Sequence, residues 1–147
     1  MSTRIAKAEN RHYYGLCSAI RAIVFVAEQG YDLSEDFSND EAWTEYYLLW
    51  ADDKTPAATA RWKMLDEHTA RIGAIAVLKE HRGHGHGKAL VEHIDDIIAA
   101  QPHVKTIQMS AQDYALPFYE KLGYEVVGEG YMDGHIPHHK IIKQVRA

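Results

Sequence analysis

The 147 residues carry 16 Lys and Arg against 21 Asp and Glu, a net charge of −5, with 46% hydrophobic and 25% charged residues. That length suits one domain with a real core, and the mildly acidic balance argues against nucleic acid or an anionic membrane surface as partner. Cys17 is the only cysteine, which excludes a disulfide framework and a cysteine-built zinc site, and no signal pattern or run of 18 apolar residues is present, so a cytoplasmic protein is expected.

Arg4 to Ala8 reads as a short first strand. Asn10 is placed to cap a helix from about Arg11 to Glu28, with Leu16, Ile20, Ile23, Val24 and Ala27 as its buried stripe and Gln29-Gly30 as its end. Cys17 falls in this pattern as a small core residue. Arg21, Phe25 and Glu28 lie partly off the stripe, where they either face a pocket or belong to the solvated side. Tyr31 to Glu45 is acidic and irregular, yet it holds Tyr31, Phe37 and Trp43. Aromatics in such a stretch suggest a segment packed over something, such as a substrate wall, and its acidity would favour a cationic substrate.

Tyr46 to Ala51 and Ala57 to Leu65 read as strands separated by turn-forming residues. Ala70 to Val77 is apolar on both faces, as a central strand is. His81-Arg-Gly-His-Gly-His-Gly-Lys88 follows, and then an apolar stripe, Leu90, Val91, Ile94, Ile97 and Ile98, on a helix that Gln101-Pro102 stops. Val104 to Ala111 is a further strand, and Tyr114 to Leu122 is a short helix closed by Gly123. Glu125 to Gly130 and Ile136 to Val145 are two last strands, joined through Tyr131 to His135. This order points to a mixed α/β (α+β) sheet with helices on both faces, in one domain spanning residues 1–147.

Strand, glycine-rich turn and helix N-terminus together make an anion cradle. Backbone N–H groups converge there, and the helix dipole adds partial positive charge. Arg82 and Lys88 add full charges, or form a solvated rim. The spacing fits neither a nucleotide-hydrolase loop, which needs Ser or Thr after Lys88, nor the dinucleotide fingerprint, because Gly83, Gly85 and Gly87 alternate one by one. A glycine-rich β–α connection without a ligand has the same appearance. His81, His84 and His86 cluster in sequence, as do His135, His138 and His139. Imidazole is a common metal ligand, but backbone contacts account for the loop without one, and no metal is expected.

Arg82 to Gly87, read as R-x-x-G-x-G, resembles the acetyl-coenzyme A loop of the GNAT N-acetyltransferase superfamily. Ala115-Leu-Pro-Phe-Tyr-Glu-Lys-Leu-Gly-Tyr124 is similar to that family's A-x-x-F-Y-E-K-L-G-F signature. Arg21 followed by Ile23-Val-Phe-Val-Ala-Glu-Gln-Gly30 resembles a helix of one small bacterial branch. Gly134-His-Ile-Pro-His138 resembles the Pro-His pair shared by that branch and glyphosate N-acetyltransferase. The resemblance covers nearly the whole chain. It implies the GNAT fold, with a mostly antiparallel sheet, and an acyltransferase that uses acetyl-CoA on a small-molecule or peptide amine. It implies His138 as base and Tyr119 as the acid near the cofactor sulfur. Cofactor binding is expected at Ile75, Ala76, Val77, Arg82, Gly83, His84, Gly85, His86, Gly87, Lys88, Gln112 and Tyr119. Arg21, Phe25 and Glu28 are the candidate substrate contacts.

Three positions depart from the pattern. Trp43-Thr-Glu-Tyr46 stands where the branch often has a His, Ala74 where it often has an Arg, and Gln112 where glyphosate N-acetyltransferase has a substrate-binding Arg. These bear on the acceptor rather than on the fold. Glu28 or a water chain is the rival base, a catalytically silent acyl-CoA-binding module is the rival function, and both monomer and homodimer are open. His138 and His139 alternate faces of a strand, so at most one reaches a given cleft.

Overall fold

A computed structural model describes residues 3–34 and 43–146. Among them, seven strands form one sheet in the order β1-β2-β3-β4-β5-β7-β6: β1 Arg4–Lys7, β2 Glu45–Asp52, β3 Thr55–Met64, β4 Thr69–Val77, β5 Thr106–Gln112, β6 Glu125–Asp133 and β7 Ile136–Gln144. All neighbours are antiparallel except β4 and β5, which run parallel because α2, His86–Ala99, crosses between them. α1, Arg11–Arg21, lies on the other face, and α3, Leu116–Lys121, follows β5. Phe37 and the carboxylates from Glu35 to Glu41 lie outside the described residues.

Burial follows the strand period. Tyr47 and Leu49 of β2 face α2, where Leu90, Val91, Ile94 and Ile98 are fully buried against them. Tyr46, Leu48 and Trp50 face α1 and pack on Cys17, Ile20 and Val24. Each such aliphatic side chain contributes about 1.5–3 kcal/mol by leaving water. Asn10 caps α1 as expected, its side-chain oxygen accepting from the Tyr13 N–H at 2.9 Å, a bond worth about 1 kcal/mol.

The expected first helix differs in its second half. From Ala22 to Glu28 the turns widen to a π-helix, with the Gln29 N–H reaching the Val24 carbonyl at 3.0 Å. The buried face runs through Cys17, Ile20, Arg21 and Val24, while Ile23 is 51% exposed and Ala27 is exposed. Ile23 was expected inside and Arg21 at the margin; the helix instead buries Arg21 completely, its guanidinium over the Tyr46 ring at 5.7 Å. The last turn also differs. β6 continues through Asp133, and Gly134 and His135 alone make the turn to β7. Among the described residues no helix is long and apolar enough to cross a membrane.

Candidate active site

β4 and β5 share a register only at Thr69↔Thr106, Ala70↔Ile107 and Arg71↔Gln108. Beyond that point the strands part. β3 shows why on its side: Thr59 pairs with Ala76 and Arg61 with Gly73, so β4 carries one residue more than its partner. The extra residue sits at Ala74, whose φ of 49° is in the left-handed region that non-glycine residues seldom enter. The bulge turns Ile72 to Val77 into one wall of a cavity of about 700 Å³, and Met109 to Gln112 of β5 form the other.

The glycine loop closes one end of this cavity. Gly85 takes a left-handed φ of 80° immediately before α2. The first intrahelical bond runs from the Ala89 N–H to the Gly85 carbonyl at 3.0 Å, so the amides of His86, Gly87 and Lys88 have no acceptor within the helix. These three residues, with Gly83 and Gly85, line the cavity. Arg82 lines it too, but its charge is already engaged. Nη1 and Nη2 donate to the two Glu28 oxygens at 2.6 and 2.7 Å, and Nε donates to the Val77 carbonyl at 2.9 Å. These bonds hold the Glu28 carboxyl below its usual range. Burial, with His84 and His81 nearby, keeps His86 below the ordinary imidazole value.

The far wall carries the proton-transfer candidates. His138 on β7 is buried and faces the cavity. Its Nδ1 lies 2.8 Å from the Ile136 carbonyl, which can only accept, so Nδ1 holds the proton and Nε2 carries the lone pair in the neutral ring. Nε2 is 3.8 Å from Asp133 Oδ2. The Tyr131 ring stacks on the imidazole at 6.1 Å and 22°, and its hydroxyl hydrogen-bonds Ser110 Oγ. His139 points to the other face, its Nδ1 2.6 Å from Asp113. Tyr119 on α3 is buried against the cavity, and burial pushes its phenol well above the usual range.

The residues that follow the π-helical turns roof this region. Gln29 donates to and accepts from Gln112, the Tyr31 hydroxyl donates to the Asp133 carbonyl at 2.9 Å, and His135 Nε2 meets the Gln29 carbonyl at 2.6 Å. The β6–β7 turn is therefore fastened to the first helix across the cavity mouth.

Of the residues expected from sequence, Ile75, Ala76, Val77, Arg82, Gly83, Gly85, His86, Gly87, Lys88, Gln112, Tyr119, His138 and Phe25 line this one cavity. His84 is exposed and stands outside it, its ring 5.9 Å from that of His86. Arg21 is buried beneath Tyr46, and Glu28 is held by Arg82; neither is among the lining residues. Sequence reasoning missed Arg61, Arg71, Ser110, Asp133, Tyr114 and Phe118, all of which line the cavity. Ala70 to Val77 reads as a central strand apolar on both faces, which gives no sign that the face carrying Arg71 and Gly73 opens. Among the described residues no group of three or more His, Cys, Asp or Glu is placed to hold a metal ion.

The acetyltransferase (GNAT) family model matches residues 11–124. The chain is 36% identical over 129 residues to a candidate acetyltransferase of Bacillus subtilis (strain 168), covering 85% of each chain. It is 33% identical over 125 residues to the uncharacterized N-acetyltransferase YjcF of the same organism, covering 84% of this chain and 87% of that one. Among solved structures, a candidate N-acetyltransferase from Lactobacillus plantarum superposes with a TM-score of 0.88 at 26% identity, over 99% of both chains. The family match and these relatives thus define an acyltransferase. The chain belongs to the GNAT acetyltransferase family, whose members use acetyl-CoA.

Proposed function

We propose that the protein transfers the acetyl group of acetyl-CoA to the amine of a small-molecule or peptide acceptor by direct attack, with His138 as base and Tyr119 as acid. The observation that carries this reading is the disposition of His138. It is a buried imidazole with Nδ1 satisfied by a carbonyl and Nε2 beside Asp133, and both residues line the cavity that the split strand β4 walls.

The chain's own groups fit the cofactor. Free amides at the start of α2 suit a pyrophosphate, and the stretch from Ile75 to Val77, paired with β3 but left without a partner on the β5 side, suits an extended, amide-bearing arm. When bound, acetyl-CoA supplies an acetyl group activated as a thioester. His138 Nε2 then accepts the proton that the attacking amine gives up, and the Asp133 carboxylate beside it stabilises the imidazolium so formed. Tyr119, kept protonated by burial, holds a proton at its hydroxyl for the departing sulfur. Gln112, tied to Gln29, helps shape the cleft between β5 and α1. Phe25 is read as an acceptor contact, while Arg21 and Glu28 act beneath the wall.

The Pro137-His138 pair and the stretch from Arg21 to Gly30 also support placing the chain in the small bacterial branch similar to glyphosate N-acetyltransferase. We read the protein as cytoplasmic, working as monomer or homodimer. The deciding assay is thiol release from acetyl-CoA with a panel of amino acids, polyamines, aminoglycosides, aminophosphonates and a lysine peptide. Amine-dependent release lost in His138→Ala supports the reading; release with no amine dependence refutes it.

A further inference from the structure

We propose that the acceptor carries, besides its amine, an anionic group that Arg71 holds. This deepens the acetyl-transfer reading above and rests on it. On the α1 face of the sheet, Arg61 pairs with Gly73 and Lys63 with Arg71, so three cations surround one glycine. The Trp43 ring lies on that glycine: a Cβ there would come within 2.6 Å of the ring. Arg61, Lys63 and Arg71 stand 4.3, 4.7 and 5.9 Å from the ring centroid. Trp43 therefore forms an aromatic plate that fixes the cations at the cavity wall. Trp43, one of the aromatics of the acidic stretch, lines the cavity, while the carboxylates from Glu35 to Glu41 lie outside the described residues.

Arg71 and Arg61 both line the cavity. Arg61 is engaged, its Nη1 donating to the Tyr46 hydroxyl at 3.2 Å, whereas the Arg71 Nε is fully buried with no hydrogen-bond acceptor among the described residues. A buried guanidinium N–H left unbonded is unfavourable, and a planar fork of donors is the group best suited to a carboxylate or phosphate. Among the described residues the carboxylate lining the cavity is Asp133, beside His138. Along β5 the two registers are Gln108 for Arg71 and Gln112 for His138. That is four residues, or about 13 Å between backbone levels, shortened by the reach of both side chains. Along β5, therefore, a base and a carboxylate stand near the level of Gln112 and cations near the level of Gln108. An ammonium tethered to an anion by a short chain matches both at once.

The test compares ω-amino carboxylates of two to six carbons with their methyl esters and with ω-aminoalkylphosphonates of the same lengths, read as kcat/KM for thiol release. The wild type should favour at least one anionic series over its neutral counterparts by about tenfold or more, chiefly through KM. The two anionic series separate a carboxylate site from a phosphonate one. Arg71→Gln should erase that preference while ester kinetics and CoA binding stay within about threefold, and Arg71→Lys should keep part of it. A wild-type preference near one, or one that survives in folded Arg71→Gln, overturns the proposal. The wild-type comparison needs no variant, so poor folding of Arg71→Gln does not shield it. If neutral amines are acetylated as well as anionic ones, this inference falls and acetyl transfer stands. If no amine releases thiol, both fall.

Discussion

Arg82 clamps Glu28 across the gap between the π-helical turns and the glycine loop, with each guanidinium Nη atom donating to one carboxylate oxygen. The pair joins the first helix to the glycine-loop end of the cavity, and it leaves Glu28 a poor base. Glu28→Gln should therefore keep turnover within a few-fold. Both side chains are a third or more exposed, so the pair should stabilise the fold by no more than about 1 kcal/mol. Because the folded-state pKa of Glu28 is depressed, that contribution is complete above the ordinary glutamate range of about 4.3 and fades as pH falls through the folded value. Melting curves of the two proteins at pH 7 should differ slightly and should converge in acid. A large loss of turnover would return Glu28 to the list of bases.

His138→Ala should lower turnover by about two orders of magnitude or more while acetyl-CoA binding is retained. His139→Ala should stay near wild type, because that ring engages Asp113 on the other face. Equal losses in both variants would point to damage to β7 rather than to removal of a base. Asp133→Asn should lie between them, since it removes the counter-ion but leaves the imidazole in place.

Tyr119→Phe keeps the buried ring and removes the proton. Turnover should fall by about 10²-fold, with acetyl-CoA affinity little changed. Unchanged turnover, measured under conditions where chemistry limits the rate, would take the phenol out of the mechanism.

Gly85→Asp should weaken CoA binding strongly. It places negative charge where the amides of α2 converge, and it forces a left-handed φ on a residue with a side chain. Gly85→Ala isolates the backbone part, about 1 kcal/mol of strain with no new charge. Calorimetry that found equal affinities for wild type and a folded Gly85→Asp would relocate the anion site.

Tyr124 stands where the family signature has Phe. Its hydroxyl is used: it donates to buried Asp95 of α2 at 2.7 Å, and Lys143 donates to the other oxygen at 3.0 Å. Burial raises the Asp95 pKa, and these two partners oppose the rise. Tyr124→Phe should cost about 1–3 kcal/mol, by leaving a carboxylate oxygen short of a donor. Adding Asp95→Leu should recover much of that loss. Chemical denaturation of the single and double variants checks both statements.

The element order was legible because its signals are local. Asn10 as cap, Gly85 before α2 and the aromatic and apolar run of β2 each report on neighbouring residues, and the loop and the α3 signature added the family. The site was legible only where a motif named it. Arg21 and Ile23 show the limit: pattern reading puts the charge outside and the isoleucine inside, and tertiary packing on Tyr46 reverses them. Asp133 and Arg71 went unread for another reason. Their roles depend on which strands part, and a one-residue bulge at Ala74 leaves no mark in hydrophobic periodicity.

The parting of β4 from β5 has a consequence for the life of the protein as well as for its chemistry. Two inner strands of the sheet forgo each other's hydrogen bonds beyond Arg71 and Gln108, so a ligand that lies between them would complete the sheet. Anything that binds the folded state alone adds stability by mass action, about 2.7 kcal/mol when present at 100 times its Kd. The fraction of molecules open to proteolysis would then fall as the acyl donor accumulates, and the abundance of the enzyme would follow the supply of its own substrate.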